Sequence, residues 1–474
     1  MARTPTEDLG SFLRRQTAED LVAVLLELAE DHDAVRARLA RMQLADRPDK
    51  LAGGFKKTLT SLRRSKRFYG YREAGELART LEGWLEQVER ELQPKDPAAA
   101  LGLFEACIEG DAAWFERADD SDGVIGDAVR AACRHWLQAA AQCETPRDMW
   151  PERLLKLYQA DEYGARDELL RHADLLLGEE EQRGLVARLD AQLAQVLEAS
   201  TSESRLPSEV YRISGALSLL AESLRDPDVM VRASMRYSPE PNPVQRQSFA
   251  QAYLDADRPA DALVWLQDSW AHLEGSRQDL LADALERLGR VEESSPIRQQ
   301  MFERSLATYY FERWLEHLSE TARQGARARA RELALGHEDV TAATALLLHL
   351  GDADAAESRL VAEPERIDGD RYESLAPLAQ ALREHECPRG ETVVYRALLG
   401  SILDRANARA YGHAARYWQR LQELAASAAS LAPLSSHEDF EAGTRARHAR
   451  KAAFWTQVNA RRRDRHEEGD ETLG

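Results

Sequence analysis

The chain is 474 residues long, 43% apolar and 31% charged, with a formal net charge of −19. That length exceeds one compact core and implies two or three domains or a repeat array, while the acidic balance excludes a protein that coats nucleic acid with its whole surface. No apolar run approaches the roughly 18 residues that span a bilayer. The opening MARTPTEDLG lacks a signal-peptide core, so no membrane association and a cytoplasmic location are expected.

The predicted elements are helical almost throughout, rich in Ala, Leu, Glu and Arg and nearly free of period-two strand runs. Thr17 and Asp20 form a capping-box start, and Leu21, Val24, Leu25 and Leu28 share one face of the helix that follows. Next comes a basic cluster without a carboxylate, Lys56, Lys57, Arg63, Arg64, Lys66, Arg67 and Arg72, beside Phe68, Tyr69 and Tyr71. Leu77, Leu81, Trp84, Val88 and Leu92 mark a second apolar stripe, with Pro94 after the helix end. The acidic turn ADDSDG, Ala118 to Gly123, fails as a calcium loop because Ala118 and Val129 stand where carboxylates are needed. It reads instead as a turn and cap before a helix over Val124 to Ala141. Cys107, Cys133, Cys143 and Cys387 are too few for a disulfide scaffold and are expected as small buried side chains. Cys133 and His135 point to different sides of a helix, so they make no metal site with Cys143. No metal or other cofactor is expected.

Two weak points divide the chain. ASTSESRLPS, Ala199 to Ser208, is a poor helix, and Pro239, Pro241 and Pro243 interrupt any helix over Tyr237 to Val244. The expected organisation is an N-terminal helical domain over 1–198 and a linker region with one helical segment over 199–244. Helical repeats over 245–435 and a basic C-terminal helix with a frayed tail over 436–474 complete it.

Aligning the third region on turns at Asp257, Gly289 and Gly351 exposes a pattern. Seven residues before each turn stand Ala250, Ala282 and the bulkier Thr344. Four before stand Tyr253, Leu285 and Leu347, and five after stand Ala262, Ser294 and Ala356. Small residues let paired helices approach and large ones fill the groove between them. A further turn is expected near Gln324, and a less regular one near Glu386 that uses Ala379 and Leu382 but has Glu391 at the small position. Arg298 occupies a position where a large apolar residue is expected. The pattern resembles the tetratricopeptide repeat, clearest in YLDADRPADALVWL, Tyr253 to Leu266, and implies a superhelical array of helix pairs.

A wider resemblance rests on FLRRQTAEDLVAVLLELAEDH, on FYGYREAGELARTLEGWLEQVE with the later ADDSDG, and on YRALLGSILDRANARAYGHAARYWQRLQEL, Tyr395 to Leu424. These resemble a family of uncharacterised bacterial all-helical proteins, a domain of unknown function. The last run is also similar to helical regions accompanying SWIM-type zinc fingers, but the CxC of that finger, with a CxH after it, is absent. The resemblance supplies no catalytic residue.

Arg405, Arg409, His413, Arg416 and Arg420 recur at spacings of four and three, which predicts one cationic face on a single helix suited to an acidic peptide or phosphate. Pairing with acidic residues of a neighbouring helix would use the same pattern. A second basic cluster follows, Arg445, Arg447, Arg450, Lys451, Arg461, Arg462 and Arg463, with Phe454 and Trp455 inside it. The two clusters hold 14 of the 63 basic residues, leaving 49 against 82 acidic ones, a balance of −33 elsewhere. Phosphate loops, dinucleotide loops, nucleophile elbows and HExxH are absent. The expected function is a non-enzymatic helical scaffold that binds another protein or an acidic peptide. The alternative is association with nucleic acid through residues 56–72 and 445–463.

Overall fold

The computed structural model describes residues 9–44, 47–200, 206–427 and 430–471, and every regular element among them is a helix. The chain divides into two compact units, one ending at Arg258 and the other starting at Pro259. The first holds α1 (Leu9–Leu13), α2 (Ala18–Asp31), α3 (Asp33–Gln43), α4 (Pro48–Arg64), α5 (Ala74–Glu91), α6 (Pro97–Ile108) and α7 (Asp111–Phe115). It continues with α8 (Val124–Ala141), α9 (Trp150–Gln159), α10 (Glu168–Arg171), α11 (Glu179–Ala199), α12 (Ser208–Leu224), α13 (Pro227–Tyr237) and α14 (Pro243–Asp255). The second holds α15 (Pro259–Trp265), α16 (Glu274–Arg287), α17 (Val291–Ser305), α18 (Thr308–Glu316), α19 (Glu320–Gly336) and α20 (Val340–His349). Its remaining helices are α21 (Ala353–Ala362), α22 (Tyr372–Glu384), α23 (Pro388–Asp404), α24 (Tyr411–Ser427), α25 (His437–His448) and α26 (Ala452–Glu471). No helix among the described residues is long and apolar enough to cross a membrane.

Local chemistry accounts for the boundaries. The Thr17 hydroxyl accepts from the Asp20 N–H at 3.1 Å and starts α2. The Asp120 carboxylate accepts from the N–H groups of Ile125 and Gly126 at 2.7 and 3.1 Å, capping α8 as the ADDSDG turn predicts. Pro243 opens α14, and Asn242 caps it by accepting from the Gln245 N–H at 3.0 Å. The predicted stripe of α5 is wholly buried, and the Trp84 indole donates to the Phe55 carbonyl at 3.2 Å, fixing α4 against α5. Helices α12 and α13, from the expected linker stretch, contribute Val210, Ile213, Leu217, Leu220 and Val229 to the core of the first unit. Cys107, Cys133 and Cys387 are buried and Cys143 half-buried; burial pushes the Cys107 thiol up to about 12.

The turns read from the alignment share one backbone device. Asp257, Gly289, Gly351 and Glu386 all have positive φ, between 56° and 80°. In each case the next N–H reaches back five residues: Arg258 to Tyr253, Arg290 to Leu285, Asp352 to Leu347 and Cys387 to Leu382, at 2.8 to 2.9 Å. This is the Schellman closure of a helix C-terminus. The large residue four before each turn supplies the accepting carbonyl, and the small positions Ala250, Ala282, Thr344, Ala379, Ala262, Ser294 and Ala356 are buried. Two more closures, at Arg225 and Ala406, carry no glycine and were not foreseen.

Two expectations fail. Gln324 lies inside α19, so no turn forms there. Arg405 to Arg420 do not share one helix, because α23 stops at Asp404, Ala406 takes φ +52°, and α24 starts only at Tyr411. The exception at Arg298 has an electrostatic resolution. Its side chain is 0% exposed and meets Asp279, Asp283 and Glu286 of α16, the last at 2.9 Å from Nε, while Arg313 of α18 shares Asp283 and Glu286.

Candidate binding surfaces

The predicted arginine face is dispersed by the break at Ala406. Arg405 caps the end of α23 and pairs with Asp370 at 3.3 Å. Arg409 lies in a short 3-10 turn, exposed and with no ion pair among the described residues. On α24, Arg416 bonds His413 Nδ1 at 2.9 Å. Arg420 grips Glu391 through two hydrogen bonds of 2.8 and 2.9 Å, which hold its pKa above the ordinary value. Arg383 bonds the same carboxylate at 2.9 Å. Glu391, the misfit at the small position, is therefore the buried anchor of Arg420. The stripe is not a continuous cationic surface, since the chain reversal at Ala406 separates Arg405 from the others, Arg409 precedes α24, and half-buried Arg420 is held by Glu391.

The C-terminal cluster is only partly engaged by the fold. Arg445 pairs with Glu441 at 2.7 Å and lies over the rings of Trp418 and Trp455. Arg447 pairs with Asp404 at 3.1 Å. Arg450, Lys451 and Arg461 make no ion pair among the described residues, and the side chains of Arg462 and Arg463 lie outside them. Phe454 is fully buried, and half-buried Trp455 packs against it and Trp418 with Arg445 over its ring, so both rings serve the core beneath α24.

Residues 56–72 behave differently. Lys56, Lys57, Arg63 and Arg64 project from α4, and Lys66, Arg67 and Arg72 from the loop after it, all exposed. Arg67 pairs with Glu73 and Glu76 at 3.3 and 3.0 Å. The other six make no ion pair among the described residues. Their loop is held from below. Tyr69 forms the strand-type bridge with Ala118, the Tyr69 N–H donates to the Arg117 carbonyl at 2.7 Å, and the Asp119 N–H donates to the Tyr69 carbonyl at 3.0 Å. Arg117 also donates to the Ser65 carbonyl at 2.8 Å. Tyr71 donates to Asp122 at 2.9 Å, and that bond pushes its phenol pKa up. Phe68 is left 62% exposed.

Beside this face lies a cleft of 370 Å³ between α4 and α6. Ala52, Gly53, Leu59, Ala99, Gly102, Leu103 and Ala106 supply an apolar lining, and Lys56, Thr60 and Arg63 a polar rim without any carboxylate. No heavy atom lies within 4 Å of where a Cβ on Gly53 or Gly102 would stand. Internal packing therefore does not require these glycines, although each weakens its helix by about 0.5–1 kcal/mol relative to alanine. Sequence reasoning missed the cleft. The available signal was glycine inside two apolar-periodic helices next to a cluster of cations.

The model of a family of unknown function, DUF6880, matches residues 11–457. The chain belongs to that family. The match to DUF6880 reaches into both units and covers the surfaces described above except Arg461 to Arg463, and it assigns a role to none of them. It lends no support to the SWIM-associated or tetratricopeptide resemblance. No curated protein matches the chain.

Proposed function

We propose that this DUF6880 protein is a non-enzymatic interaction protein whose cleft between α4 and α6 accepts an acidic segment of another protein. One observation carries the reading: Lys56, Lys57, Arg63, Arg64, Lys66 and Arg72, without an ion pair among the described residues, form a basic face in a chain of net charge −19, and Lys56 and Arg63 of it rim a carboxylate-free cleft. In such a chain a free basic face is conspicuous, because carboxylates able to neutralise it are abundant. An amphipathic segment would place apolar side chains over Gly53 and Gly102 and its carboxylates against the rim, where guanidinium and ammonium groups donate charge-assisted hydrogen bonds. The helix pairs of the second unit, closed by a recurring turn, support a scaffold role for the rest of the chain.

The test is comparative affinity capture from the native host with nuclease present. Lys56→Glu/Lys57→Glu/Arg63→Glu/Arg64→Glu is expected to lose the bound protein, while Arg405→Glu/Arg409→Glu/Arg416→Glu keeps it. Equal recovery by all three forms refutes the reading. Exposed Phe68 and Tyr71 beside the cations favour nucleic acid as the second reading. That reading requires salt-dependent retention on RNA or DNA, and no retention at roughly 50 mM salt would exclude it.

A further inference from the structure

Helix α2 is the counterpart of the basic cleft in every respect that chemistry can score. Its sequence AEDLVAVLLELAED contains no basic residue, and Glu19, Asp20, Glu27, Glu30 and Asp31 make no ion pair among the described residues. Val22, Val24, Leu25, Leu26 and Leu28 are all exposed, Leu26 at 59%, and only Ala29 of this helix is buried. With Leu21 they cover about half the helix circumference at 100° per residue. A soluble surface helix ordinarily turns such a face to a core, and among the described residues this one has no such cover.

We infer that α2 of one copy docks in the α4–α6 cleft of a second copy, reciprocally, so that the protein self-associates as a two-fold dimer. The inference rests on the reading of that cleft as an acceptor of acidic segments. Charge complementarity selects the occupant. An α2–α2 contact would set acidic flanks against each other, whereas the cleft offers Lys56 and Arg63 on its rim to those carboxylates, with Lys57 and Arg64 on the adjoining surface of α4, and an apolar lining to the aliphatics. Area selects the reciprocity. Five half-exposed aliphatics offer on the order of 400 Å², so one contact buries about 800 Å² counting both sides, below a stable interface, and two bury about 1,600 Å², the standard size. Exchange of the same element by both copies also closes the assembly and leaves no open end for a filament.

The experiment is sedimentation equilibrium of the full chain with two single-sided variants. Leu26→Asp removes the donor, and Lys56→Gln/Lys57→Gln/Arg63→Gln/Arg64→Gln removes the acceptor; circular dichroism confirms that each stays folded. Wild type is expected to dimerise, more weakly as salt rises, and each variant alone to dissociate at least roughly tenfold more readily. Mixing the two variants restores one contact and so a weak heterodimer. A wild type that stays monomeric to about 100 µM, or a dimer indifferent to both variants, overturns the inference. A labelled peptide of residues 17–32 separates the two levels. If it binds wild type but not the acceptor variant while the chain stays monomeric, the cleft reading stands and self-association falls. If it does not bind, the occupant is wrong.

Discussion

Replacing Arg298 with Met is the sharpest probe of the second unit. The guanidinium is fully buried and serves Asp279, Asp283 and Glu286 at once. Methionine fills much of the volume, so the change isolates the charge: three carboxylates of one helix lose the cation that holds them against α17. Removing one partner of a buried ion pair costs about 3–5 kcal/mol. Two features pull the value to the low end. Asp279 and Asp283 are 32% and 31% exposed, and Arg313 remains on Asp283 and Glu286. The expected loss is about 3 kcal/mol, which lowers the melting temperature of a unit this size by roughly 6–12 °C. Thermal unfolding followed by circular dichroism at pH 7 measures it. Arg298→Lys should fall between the two, since an ammonium cannot fork to three carboxylates. Adding Asp283→Asn to Arg298→Met should recover about 1 kcal/mol by removing one crowded charge. A melting temperature for Arg298→Met within about 2 °C of wild type would refute the view that this arginine holds the helices together.

Arg420 and Arg409 separate structural from free cations. Arg420→Ala leaves buried Glu391 with Arg383 alone and should cost about 2–3 kcal/mol, whereas Arg409→Ala should stay within about 0.5 kcal/mol of wild type in urea unfolding. Hydrogen bonds from Arg277, the Trp270 N–H and Ser269 hold the Glu274 carboxyl at about 2, against an ordinary 4.5. A depressed carboxylate contributes stability that is complete above its unfolded value and is lost as pH falls through the folded one. Glu274→Gln should therefore flatten the fall in stability between pH 4.5 and 2, and an unchanged pH profile would rule Glu274 out as its source. Gly53→Ala should raise the melting temperature slightly, by about 0.5–1 kcal/mol of helix stability, while Gly53→Trp should block the cleft to the 17–32 peptide without unfolding the protein. Peptide binding unaffected by Gly53→Trp would move the site elsewhere.

Much of this architecture is legible in the residues, and the failures have physical causes. Gly289 and Gly351 announce left-handed closures because glycine alone adopts them freely. Asp257 and Glu386 were found only by their spacing from Tyr253 and Leu382. Ala406 gave no such warning. Its helical propensity favours continuation, and periodicity on both sides of it stays in phase, so the arginines looked collinear until a backbone bond from Asn407 to Ile402 turned the chain. Gln324 failed for the opposite reason: the long gap between Gly289 and Gly351 leaves room for an intervening turn, but Ala326, Ala330 and Ala334 keep an unbroken buried stripe on α19. The basic residues 56–72 were legible as a cluster, yet their freedom from partners depends on tertiary placement, as does the burial of Phe454 and Trp455 under α24. Spacing along a helix does not reveal which carboxylate another helix brings near, and Glu391 shows this twice, first as a misfit and then as the partner of Arg420.

The hydrogen bonds that close the turns at Arg225, Asp257, Gly289, Gly351, Glu386 and Ala406 link residues only five apart in sequence. Each reversal can therefore form with little loop-closure entropy and without waiting for distant chain. Nascent helix pairs can close one after another as they are synthesised, and the slow events of folding become the docking of finished pairs, such as bringing α16 with its carboxylates onto Arg298 and Arg313. Hydrogen exchange would then record stepwise opening, with protection lost pair by pair and not in a single sweep.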